Sequence, residues 1–77
     1  MKLVIEGKEV NVREEEFELV KEDWNEYKLL DGGTVRVKAT AMRIYRLLDE
    51  KGQPLFHDDG QPQMWVTTTT LVVARPR

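Results

Sequence analysis

Catalysis and metal binding need particular side chains within reach of one another, and this sequence offers few. His57 is its only histidine and stands beside Asp58 and Asp59, a His–carboxylate grouping of the kind that serves general-base chemistry. The nucleophile such a base would activate is missing. The 77 residues contain no cysteine and no serine, and the threonines at 67–70 lie inside a strand-like run, away from any free terminal amine. Together with Asp49 and Glu50, the His57 loop could gather oxygen and imidazole ligands for a metal ion. Its Asp58-Asp59-Gly60 spacing lacks the alternating positions and closing bidentate glutamate of a calcium loop, and turn formation alone accounts for the aspartates. Gly32-Gly33 precedes an extended segment and not a helix, so a phosphate-cradling loop is not expected either. Glu14-Glu15-Glu16 reads as a solvated turn or strand entry. We therefore expect no enzyme, no cofactor, and no catalytic or metal-ligating residues.

Binding chemistry is better represented. Arg36, Lys38, Arg43 and Arg46 lie along one strand-like run with Tyr45 among them and Trp65 further on, the basic and aromatic mixture that holds single-stranded nucleic acid. Against that reading, Arg36 and Lys38 alternate with Val35 and Val37, as on the wet face of a one-sided sheet, and the pI is about 5.4. The charge is also unevenly spread. Residues 1–31 hold five basic and ten acidic groups, and residues 32–77 hold seven basic and four acidic ones, which gives −5 and +3 and the net −2. Antiparallel pairing of such strands would set opposite charges across from each other. The Thr67–Thr70 run suits a sheet edge open to strand addition by a second copy or a partner peptide. The partner expected is thus a protein, with self-association included. Nucleic acid comes second, and the particular binding residues are unknown.

These groups must be positioned by strands. Lys2–Glu6 and Glu9–Arg13 flank Gly7-Lys8, which suggests a type II′ hairpin. Residues 14–30 are ambiguous. Phe17, Val20, Trp24 and Tyr27 fit a helical period, so a helix at about 14–27 in an α+β fold is the alternative. Two strands at about 17–21 and 24–30 are favoured, because Asp31-Gly32-Gly33 is a hairpin signal and the strand after it needs a partner. That strand alternates from Val35 through Ala41, then slips phase so that Met42, Ile44 and Leu48 become the apolar set, as a β-bulge would produce. Gly52-Gln53-Pro54 and Gly60-Gln61-Pro62 suggest two turns with a short pairing between them and Phe56 plugging the core. Trp24, Trp65 and Phe17 are assigned to the core as well. A last strand, Met64–Ala74, ends at Arg75-Pro76-Arg77.

The expected fold is a single small domain over 1–77, all-β, with five to six antiparallel strands in a small barrel or strongly bent sheet of SH3-like or OB-like type. A chain of this length buries only about 60% of its unfolded surface, which leaves little room for a catalytic cleft. The longest apolar run, Leu71–Ala74, is far too short to cross a membrane, and the amino terminus does not read as a signal peptide. A cytoplasmic location is the default. The stretch from Trp24 to Lys38, with Asp58-Asp59-Gly60-Gln61-Pro62 and Val72-Val73, resembles a group of small uncharacterised prokaryotic proteins. They share a Trp/Glu/Tyr strand, an Asp-Gly turn, a basic-apolar strand and an Asp-x-Gly-x-Pro loop. The resemblance implies a small all-β domain over about 23–74 and carries no activity.

Overall fold

Alternating Val, Ile and Thr, punctuated by Gly and Asp, favours strands, and strands are what the chain forms. The computed structural model describes residues 1–76, and Arg77 lies outside the described residues. The five strands are β1 (Lys2–Ile5), β2 (Lys8–Glu15), β3 (Asn25–Lys28), β4 (Thr34–Leu48) and β5 (Met64–Arg75). They pair in antiparallel fashion in the order β1-β2-β4-β3, with β5 also paired to β4. Among the described residues no helix forms, and no pairing joins the ends of this order into a barrel. The all-β expectation holds. The closed barrel and the helix at 14–27 do not.

Contacts divide the chain into two units: Met1–Phe17 with Arg43–Thr67, and Glu18–Met42 with Thr68–Arg77. In the first, the β1–β2 hairpin turns at Glu6-Gly7, both at positive φ (52° and 81°). That is the type I′ signature, in place of the II′ turn expected at Gly7-Lys8. Charge explains the shift. A Gly7-Lys8 turn would set Glu6 directly opposite Glu9, whereas the observed register pairs Leu3 with Val10 and Ile5 with Lys8. β2 then pairs with the end of β4, Val12 opposite Leu47 and Glu14 opposite Tyr45. Among the described residues Val12 and Tyr45 are the two buried apolar side chains, 1% and 6% exposed. Burial along β4 follows no simple alternation: Ala39, Met42 and Arg43 are exposed, Tyr45 is buried, and Ile44 and Leu48 are half-buried, so of the apolar set expected after the phase slip Met42 is not covered. Phe17 and Phe56 are also exposed and plug no core.

Beyond β4 the first unit makes two tight turns. Leu47 N donates to Gln63 O, Gln63 N to Leu55 O, and Leu55 N to Leu47 O, so three chain segments close a ring of backbone hydrogen bonds. In the second unit, β3 pairs with the start of β4, Asn25 opposite Val37 through Lys28 opposite Thr34. Residues 16–24 form no regular element, so the strand expected at 17–21 is absent. Pairing with β4 holds Asn25–Lys28 extended. It leaves the helical period only a few residues before Trp24, too few to nucleate a helix in water.

Candidate functional site

Each cation of β4 meets a glutamate from the first half of the chain. In the unit that holds Val12, Arg43 Nη1 donates to Glu14 Oε1 at 3.2 Å, and Arg46 Nε to Glu15 Oε1 at 3.1 Å. Glu15 Oε1 also accepts from Arg13 Nε at 2.9 Å. Arg13 and Arg46 are direct cross-strand partners, a like-charge pair that repels unless bridged, and Glu15 supplies the bridge. The hydrogen bond from Arg13, then that from Arg46, holds the Glu15 carboxyl below its ordinary 4.5.

In the other unit the cations converge on an indole. Residues two apart on a strand share a face, and Arg36 Cζ and Lys38 Nζ lie 5.1 and 4.8 Å from the centre of the Trp24 ring. Lys38 Nζ is 3.8 Å from Glu22 Oε2. Arg36 Nε is 3.1 Å from Glu26 Oε1, yet the angle makes no hydrogen bond and the buried Nε–H is left without an acceptor among the described residues. That contact is electrostatic only. Trp24, expected in the core, is half-buried. The Trp24–Arg36–Lys38 stack was not expected from the sequence, although the even spacing of the two cations carried its signal.

His57, Asp58 and Asp59 form a hairpin turn. His57 N donates to Gln61 O, Gly60 N to His57 O, and Gln61 N to Asp59 Oδ1 at 3.0 Å. Asp49, expected to join them, instead accepts from Lys51 N and Gln53 N. No cluster of three or more His, Asp or Glu side chains able to hold a metal ion occurs among the described residues. A shallow depression of about 430 Å³ lies between Lys2, Glu9 and Asn11 on one side and Leu48, Asp49 and Leu55 on the other. Its charged walls include Lys2 and Glu9, 3.8 Å apart.

The remaining feature is apolar. In the unit containing β3, Leu71, Val72 and Val73 are 43%, 62% and 41% exposed. Consecutive strand residues point to opposite faces, so neither face of β5 is covered there. Comparison of the chain with protein-family models, curated proteins and solved structures gives no match.

Proposed function

We propose that the protein is a non-enzymatic binding or assembly module of the prokaryotic cytoplasm, acting through protein–protein contacts. The observation that supports this reading is the uncovered Leu71-Val72-Val73 segment of β5. Scattered exposed apolar residues are ordinary, but three in succession on a strand with both faces open suggest a surface that a partner covers. Five antiparallel strands, two successive pairs of them (β1–β2 and β3–β4) joined by tight hairpins, favour kinship with SH3-like or OB-like modules. The ion pairs of Arg36, Lys38, Arg43 and Arg46 weigh against the nucleic-acid alternative, because those cations already have anionic neighbours.

The test compares tagged wild-type and Val72→Lys chains as baits in native lysate, with quantitative mass spectrometry. The expected result is a protein, the untagged chain included, enriched on the wild type and lost on the variant. Equal recoveries on both baits, or none, would overturn the reading.

A further inference from the structure

The unit formed by Glu18–Met42 and Thr68–Arg77 contains no buried apolar side chain among its described residues, since both such side chains of the chain, Val12 and Tyr45, belong to the other unit. Sheets hold their shape by burying at least one face, and here Leu30 and Val20 are 108% and 95% exposed besides the β5 residues.

The strand itself indicates how two chains would meet. Thr68–Ala74 carries no charge, glycine or proline, and all of it is exposed. Among the described residues β4 is the only strand partner of β5, so the other edge of β5 is open. A long, uncharged, β-branched edge is what folded proteins avoid leaving bare. The one described charge on β5 is Arg75, at its end. Antiparallel self-pairing places the two Arg75 side chains at opposite ends of the joint, whereas parallel pairing would set them side by side.

Resting on the protein-binding reading above, we propose that the occupant is a second copy of this chain, its β5 paired antiparallel to β5 along Thr68–Ala74 across a two-fold axis. Such an isologous joint closes on itself and exposes no further edge of β5.

The first measurement is sedimentation equilibrium of the untagged chain from micromolar concentration to roughly 1 mM, where even a weak pair is populated. A mass of twice 9.0 kDa is expected, with Val72→Lys weakening the dimer roughly tenfold or more. The second is disulfide formation in single-cysteine variants from Thr68→Cys to Val72→Cys, with Lys8→Cys as control, in a chain that otherwise has no cysteine. Only residues next to a two-fold axis meet their own copies, so cross-linking should peak within the series and fall to either side. This series still reports if the lysine variant fails to fold. A 9.0 kDa mass throughout overturns self-association while leaving the protein-binding reading to the lysate comparison. A dimer that is indifferent to Val72→Lys, or whose cross-linking matches the Lys8→Cys control, overturns the β5 joint.

Discussion

Glu15 stands between two guanidinium groups that would otherwise face each other unscreened, Arg13 on β2 and Arg46 on β4. Its carboxyl is held below 4.5 by the Arg13 hydrogen bond first and the Arg46 bond second. A carboxyl whose pKa is lower in the folded than in the unfolded chain stabilises the fold above the unfolded value. That contribution is lost as pH falls through the folded value. Glu15→Gln should therefore melt below the wild type at pH 7, and the two melting curves should converge as pH drops from 4.5 towards 3. Circular-dichroism melts across that range check it, and a gap that stays constant down to pH 3 would show that the carboxylate charge is not the cause. Trp24 teaches a different lesson at the same scale. Its type suggested a core residue, but a ring flanked by Arg36 and Lys38 at 5.1 and 4.8 Å gains cation–π attraction while remaining half-buried.

The connections between strands repeat one device. Leu29 N donates to Gly33 O and Gly32 N to Leu29 O; the same pair of bonds joins Asp49 with Gln53 and Gly52, and His57 with Gln61 and Gly60. Each is a three-residue loop whose third residue is a glycine at positive φ, 102°, 82° and 89° respectively. At Gly60 an added Cβ would meet nothing within 4 Å, so strain alone sets the cost of substitution. Gly60→Ala should destabilise by about 1–2 kcal/mol and Gly60→Asn by less, since asparagine tolerates the left-handed region. Urea unfolding with an unchanged m-value would check this, and an Asn variant as unstable as Ala would contradict it. Gly33 is needed for another reason, because its Cβ would come within 3.1 Å of Arg75 O, a backbone atom. The turns were legible in the sequence because Gly and Asp act within three or four residues of themselves. The Glu6-Gly7 turn was misplaced by one residue because its position depends on cross-strand charge, which only a register reveals. Residues 16–24 resisted reading because Phe17, Val20 and Trp24 fit two periods, and with only Asn25–Lys28 held by a distant strand neither period forms an element there.

The exposed apolar residues show where local patterns stop informing. The β-branched content of Val66–Val73 announces β5 as a strand, but whether Val72 and Leu71 are covered depends on what lies beyond the strand. Charge was more transparent. The first 31 residues carry −5 and the rest +3, and four ion pairs each join a glutamate of the first part to a cation of the second: Glu26–Arg36, Glu22–Lys38, Glu14–Arg43 and Glu15–Arg46. As exposed or half-exposed pairs they add little to stability. Their larger consequence is that none of the four cations is left to neutralise a phosphate without first giving up a carboxylate. A single strand bound through Lys and Arg gains affinity by releasing the counterions condensed on its phosphates, and a cation that must first leave a glutamate sets the loss of that pair against the gain. Titrating labelled poly-dT into the protein at roughly 20 mM salt should give no saturation below about 1 mM, although these are the conditions that most favour backbone contact. Saturation that weakens with added salt, and weakens further in Arg36→Gln or Arg43→Gln, would mean that the pairs open for a nucleic-acid ligand. The acidic partners would then be gates on a basic surface and no longer the strand-to-strand staples that their geometry describes.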